Sequence, residues 1–188
     1  MSSDSSDQTF ARALHDLGAA AWFGGSLMGV TGLHAASGAV VEPTDRARVA
    51  SAGWQAWGPW RSSALALHVA GSLSLLWGNK ARLAGQQGAM TTNLIKTGVA
   101  VSALVADVYA GILGRRIAAH QPVEVASAVE PADPTPDEVA EMQRKLRVVQ
   151  WSVPVLTGAN VVLGSKMGEQ QRPANLASGV FGRLDPRR

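Results

Sequence analysis

The chain contains no cysteine among its 188 residues. This excludes disulfide bonds, thiolate metal sites and a cysteine nucleophile. Any metal site would therefore use His, Asp, Glu or Met side chains.

Charged residues are also scarce, at 16% of the chain, whereas 46% of the residues are hydrophobic. This balance is unusually apolar for a soluble protein and favours a membrane protein with the lipid bilayer as its surroundings. The net charge of +3 comes from Lys and Arg spread over loops and tail, without the basic stripe and interleaved aromatics of a nucleic-acid-binding surface. We therefore expect no nucleic-acid partner.

The common catalytic motifs are missing as well. The sequence has no P-loop, no G-x-S-x-G, no H-E-x-x-H and no dinucleotide-binding fingerprint. Because membrane enzymes often lack these motifs, enzymatic activity stays open, but we expect a non-catalytic protein and assign no catalytic residue.

Four apolar runs are present, at about 17–36, 62–78, 94–113 and 148–164. Each is long enough, at ~1.5 Å per residue, to cross or nearly cross a ~30 Å hydrocarbon core. The sequence predicts an all-α, multi-pass integral membrane four-helix bundle over 13–170. The remaining segments are a disordered polar head (1–12), an acidic Pro-rich loop (118–143) and a polar basic tail (171–188). Both termini then share one side of the membrane, which we expect to be cytoplasmic.

A short similarity follows the second and fourth runs, which continue as "WGNKARLAGQQG" and "LGSKMGEQQRP". Each also ends a hairpin that encloses a loop of roughly 25–30 residues. The pattern suggests two parallel repeats of a helical hairpin, as in other membrane folds; a chance match in an Ala- and Gly-rich chain is the alternative.

Three polar residues are predicted deep in the runs or near their ends. Counted from the predicted ends, His68 and Asp107 lie at similar depths, and His34 approaches the same face of the membrane. We hypothesise that His34, His68 and Asp107 converge as metal ligands, with His34 and His68 able to bind a haem or copper cofactor. A purely structural His68–Asp107 pair, or no contact at all, is the alternative.

Two further charges, Asp16 and Lys96, lie near the opposite face, where we expect an intramembrane ion pair or separate snorkelling towards water. Gly25 and Gly29 form a G-x-x-x-G step in the first run. Small residues of this kind allow close helix packing, within the bundle or in a dimer.

The stretch that leads into the first run reads H-x-x-G-x-x-x-W-x-G-G, with His15, Gly18, Trp22, Gly24 and Gly25 at the fixed positions. This stretch resembles the first-helix signature of CopD-type copper-resistance membrane proteins and related small polytopic families. The resemblance implies a small helical bundle linked to metal handling, with His15 as the position carried over. The chain departs from that group in having four predicted spans and no Met-rich or His-rich copper stretch.

These features together favour a structural or assembly subunit of a larger membrane complex, with other membrane proteins or a second copy as partners. A metal- or haem-binding redox module is the first alternative. A small transporter or channel subunit, with Lys96 and Asp107 along a polar path, is the second.

Overall fold

The computed structural model describes residues 2–78 and 89–170. The elements, in chain order, are α1 (Ser2–Met28), a π-helical turn (Gly29–Leu33), α2 (His34–Gly38), α3 (Pro43–Gly78), α4 (Ala89–Ala119), β1 (Val125–Ser127), β2 (Glu130–Pro131) and α5 (Asp137–Gln170). The predicted helical class is confirmed, since the last three predicted runs lie within long helices and the first is helical through α1, the π-helical turn and α2.

Two helical segments, Thr91–Ala119 and Asp137–Ser165, are long and apolar enough to cross a membrane. The first two predicted spans fall below that level of hydropathy in the described residues, because Gly, Ala, Ser, His and Trp dilute their aliphatic residues. Among the described residues, α4 and α5 are therefore the two helices that could cross a membrane by length and composition.

The helices pack as two hairpins. Helix α1 packs antiparallel along α3: Gly18 lies against Ala64, and Gly29, in the π-helical turn that continues α1, lies against Trp54, earlier on α3. Helix α4 packs along α5, and α1 joins the hairpins through α5. Helices α3 and α4 contact each other at fewer residues, and the Arg61–Asp107 ion pair bridges the cleft between them.

Helix α3 begins much earlier than the predicted second run. Pro43 at its start and Asp45 in its first turn suit a helix N-terminus, because Pro needs no amide partner there and a carboxylate favours the positive end of the helix. The loop expected before residue 62 is therefore mostly helix, and only residues 39–42 connect α2 to α3. The two hairpin loops consequently differ in length, contrary to that part of the repeat argument.

The predicted disordered head, residues 1–12, is instead helical from Ser2, where α1 begins. Buried Ala11 explains part of this order, because its carbonyl lies against Gly71 of α3. The first copy of the Lys and Gln-pair repeat, within residues 79–88, lies outside the described residues. The second copy begins in the last turns of α5 and continues beyond Gln170. The predicted basic tail, 171–188, lies outside the described residues.

The acidic Pro-rich loop contains a small folded hairpin. Strand β1 pairs antiparallel with β2. Three side chains hold its backbone: Ser37 accepts from the Ala128 amide, Arg46 donates to the carbonyls of residues 125 and 126, and Gln143 donates to those of 127 and 128. Buried Val125 packs into a core shared with α3, α4 and α5, so this loop closes one end of the bundle.

Candidate functional site

Two glycines bring the backbones of α1 and α3 together. A Cβ placed on Gly18 lies 2.5 Å from the Ala64 carbonyl oxygen and 2.5 Å from the His68 amide nitrogen. A Cβ on Gly71 overlaps the His15 backbone. Because the helices approach so closely, the rings of His15 and His68 lie with their centroids 4.4 Å apart.

His15 links two charged side chains. Its Nε2 lies 2.7 Å from Lys96 Nζ, and its Nδ1 lies 2.8 Å from Asp16 Oδ1. An ammonium group only donates hydrogen bonds, so Nε2 accepts from Lys96 and Nδ1–H donates to Asp16. The two residues predicted as an ion pair are thus joined through the buried imidazole of His15.

His68 is held in the same tautomer. Its Nδ1 lies 3.3 Å from the His15 carbonyl oxygen, which only accepts, and its Nε2 lies 3.3 Å from Asn160 Nδ2. Both imidazoles therefore direct an Nε2 lone pair at a hydrogen-bond donor, Lys96 for His15 and Asn160 for His68. Metal binding at either Nε2 requires that donor to move.

We refer to these side chains as the His15–His68 cluster: His15, Asp16, His68, Lys96 and Asn160. They line a cavity of about 310 Å³, whose other walls are mostly apolar residues of α3 and α4. The cluster can relay or hold protons along a chain of paired polar groups, in otherwise apolar surroundings.

A second, larger cavity of about 740 Å³ lies towards the β-hairpin end of the bundle. We call it the lower cavity. Arg61 Nη1 lies 3.3 Å from Asp107 Oδ1 in its wall, and the Asp107 side chain is only 10% exposed. Trp22, 2% exposed, lines both cavities and lies between them.

The lower cavity collects polar atoms that have no partner. Four buried donor atoms without a hydrogen-bond partner among the described residues belong to residues that line it, Trp22 Nε1, Trp54 Nε1, Arg61 Nε and Gln121 Nε2, whereas His34 and Gln150, which also line it, interact with each other. Buried polar groups are nearly always paired, so such a concentration in one cavity indicates a site for water or a ligand.

The structure separates the three predicted ligands. His34 and Asp107 both line the lower cavity, whereas His68 lies in the other. Asp107 instead pairs with Arg61, which precedes His68 by seven residues of α3, or ~10 Å at helical rise. In the part of the chain that is described, no three His, Asp or Glu side chains lie close enough to hold a metal ion.

His68 lies away from Asp107 because the second helix does not begin at Ser62, the start from which the depth of His68 was counted. Helix α3 extends 19 residues further towards its N-terminus, to Pro43. The end of the bundle is correspondingly further from His68, which therefore lies at the level of His15. His34 is 7% exposed and directly follows the π-helical turn, which shifts the phase of the residues after it relative to α1.

The predicted packing glycines lie on the α1–α3 interface. A Cβ on Gly25 overlaps the indole of Trp57, and one on Gly29 overlaps the indole of Trp54. Gly18 and Gly71 make the closer backbone approach. Gly18 extends the small-residue surface that Gly25 and Gly29 form in the first run, so its packing role is expected from the sequence, whereas that of Gly71 is not. The only sequence signal at Gly71 is the polar residue three positions before it, His68.

Arg61 and Asn160 are the other residues whose role was missed. Arg61 follows a Trp-rich segment just before the second apolar run. Asn160 is a lone amide side chain in the fourth apolar run. Comparison of the chain with protein-family profiles, with curated proteins and with solved structures found no match.

Proposed function

We propose that the protein is a non-catalytic, multi-pass integral membrane bundle that serves as an accessory or assembly subunit of a membrane complex. The observation that carries this proposal is the apolar outer face of α4 and α5. Val101, Val105 and Val108 of α4 are 52–62% exposed. On α5, Val155 and Val162 are 66% and 68% exposed. Stripes of this kind are expected to face lipid or a partner helix.

The interior polar groups support the same proposal. His15 is paired with Asp16 and Lys96, His68 with Asn160, and Arg61 with Asp107, each across or within helices of one bundle. Polar pairs inside a membrane bundle fix which helices meet and in which register. A subunit that presents its outer faces to other proteins needs such internal fixation.

Membrane integration is tested by washing membranes from expressing cells with alkaline carbonate. We expect the full chain to remain in the pellet, as an integral protein does, and release into the supernatant would contradict the proposal. A soluble control protein of similar size, expressed in the same cells, should appear entirely in the supernatant and so shows that the wash is complete.

The subunit role is tested with a photoreactive amino acid placed singly at Val105, Val155 and buried Ala103, which is 0% exposed. We expect illumination of cells to give a protein adduct of constant mass from at least one of the two exposed positions and none from Ala103. Adducts to lipid alone at both exposed positions would reject the subunit role while leaving membrane integration intact.

The CopD-type resemblance and the metal or haem alternative remain proposals of lower rank. His15, the residue carried over from the resemblance, has its Nε2 occupied by Lys96, and His68 has its Nε2 occupied by Asn160. An absorption spectrum and metal analysis of the purified protein test this alternative: a Soret band or stoichiometric copper would favour it over the subunit role.

A further inference from the structure

We propose that the lower cavity binds the anionic head of an amphiphile, a carboxylate or phosphate group attached to an apolar chain, that enters from the bilayer through the cleft between α3 and α4. The proposal rests on the donors, charges and shape of the cavity, and it goes beyond the subunit role.

Most of the unpartnered atoms in the cavity are donors. The indole N–H groups of Trp22 and Trp54, the Nε–H of Arg61 and the amide of Gln121 all lack an acceptor in the described part of the chain. A ligand that satisfies them must present several acceptor oxygens and few donors of its own. A carboxylate or a phosphate meets this requirement.

The charges in the wall favour an anion. A Cβ on Gly111 lies 3.9 Å from Arg61 Nη1 and 3.6 Å from Arg115 Nη1, so two guanidinium groups converge on one point of α4. Asp107 is the single carboxylate among the residues that line this cavity. Because Arg61 is paired with Asp107, the excess positive charge is that of Arg115, an exposed residue at the rim, and an anionic head beside it would neutralise that charge.

The walls and the opening favour an apolar chain. Ala47, Ala110, Ile117, Leu146 and Val153 form much of the remaining lining. A volume of about 740 Å³ falls within the range of small-molecule sites, ~300–1,000 Å³. Helices α3 and α4 both line the cavity and make few contacts apart from the Arg61–Asp107 bridge and the buried alanines beside it, so the proposed route of entry lies between these two helices.

The experiment uses the full chain in phosphatidylcholine nanodiscs, with laurate as the probe and tryptophan fluorescence to follow thermal unfolding. We expect laurate to raise the melting temperature saturably, whereas dodecanol, which has the same chain and no anion, does not. Acetate and inorganic phosphate test whether the anion suffices without the chain, and equal effects from either would overturn the amphiphile. No saturable effect of laurate, in the nanodiscs and equally in a nonionic detergent free of phospholipid, would overturn the proposal.

Matched variants locate the site. Arg115→Gln should raise the laurate concentration for half-maximal effect about tenfold, as expected for loss of one hydrogen bond to a charged group. Arg116→Gln removes the same charge from the next residue, which does not line the cavity, and should leave that concentration unchanged. Equal effects of the two substitutions would reduce the interaction to surface charge and overturn the site.

Gln121→Leu should affect the stability of the ligand-free protein and the binding of laurate in opposite directions. Its amide nitrogen is buried without a partner, so its removal should leave the ligand-free protein as stable or more stable, yet should weaken laurate binding. Lower stability without laurate, combined with unchanged laurate binding, would show that Gln121 is structural and that the cavity does not use its donor.

Discussion

At the scale of single residues, the polar side chains around His15 form a chain of hydrogen-bond donors and acceptors. Lys96 donates to His15 Nε2, and the opposite side of the same ring faces Asp16. An unpaired polar atom in apolar surroundings costs about 1–3 kcal/mol, so each member of such a chain depends on its neighbours. His15 depends most on them, since its side chain is only 5% exposed whereas that of Asp16 is 63% exposed.

This dependence predicts strong coupling between His15 and Lys96. In a double-mutant cycle of His15→Leu and Lys96→Met, we expect an interaction free energy of about 0.5–3 kcal/mol, because either single change leaves a buried group unpaired and the double change leaves none. Reversible unfolding in detergent, followed by tryptophan fluorescence, gives the four free energies. Asp16→Asn serves as the control and should show much weaker coupling, and additive effects of His15→Leu and Lys96→Met would contradict the pairing.

At the scale of secondary-structure elements, small residues determine how closely α1 and α3 pack. Gly18 and Gly24 lie on the same helix, yet a Cβ on Gly18 meets the α3 backbone and a Cβ on Gly24 meets nothing within 4 Å. The glycine pattern of the sequence predicts a packing helix, but the pattern alone does not distinguish these two positions, because that depends on which face of α1 meets α3.

We therefore expect Gly18→Ala to destabilise the bundle by about 1–3 kcal/mol, as overpacking does in tight cores. Gly24→Ala adds the same methyl group in open space and should be neutral or slightly stabilising, since Ala favours a helix more than Gly. Melting temperatures of the two variants in the same detergent test this contrast. Equal melting temperatures would mean that the two helices do not approach at Gly18.

Arg46 is one of the three side chains that hold the β-hairpin between α4 and α5. Arg46 Nη1 lies 3.2 Å from the Val125 carbonyl oxygen and 3.3 Å from that of Ala126, and its Nε lies 2.8 Å from the Val40 carbonyl oxygen. A planar guanidinium makes these contacts together, whereas an ammonium group lacks the fork geometry.

Arg46→Lys should therefore release the hairpin while leaving the helices in place. We expect faster cleavage by a protease within residues 120–136, with little change in helical circular dichroism. Arg48→Lys is the matched control, because Arg48 is exposed and pairs only with Asp45 of its own helix turn. Cleavage at the same rate in both variants would reject this anchoring role.

At the scale of the whole molecule, the two hairpins leave a cleft between α3 and α4 that contains both cavities. Polar side chains line this cleft from the His15–His68 cluster to the β-hairpin, with buried Trp22 between the two cavities. These polar groups lie beside two buried hydrophobic clusters, and the exposed valines of α4 and α5 lie on the outside of the bundle.

The proposed four crossings place α1's start and the β-hairpin on opposite sides of the membrane. Because the chain has no cysteine, single substitutions Asp7→Cys and Asp133→Cys give unambiguous labelling sites. With the termini cytoplasmic, a membrane-impermeant maleimide should label Asp133→Cys in intact cells and Asp7→Cys only after the cells are opened. Labelling of both or of neither in intact cells would contradict this topology.

The sequence by itself determined the helical class and the approximate positions of four long helices, because apolar runs, their lengths and the turn-forming residues between them are local properties. It also marked His15, His34, His68, Lys96 and Asp107 as unusual, since each is polar within or beside an apolar run. Which of these residues meet was decided only by tertiary structure. Helix α3 starts 19 residues before the predicted span, the π-helical turn changes the phase of His34, and Gly18 and Gly71 bring His68 against His15. Pairings of this kind depend on helix ends, phase and contact distance, which no single segment of the sequence specifies.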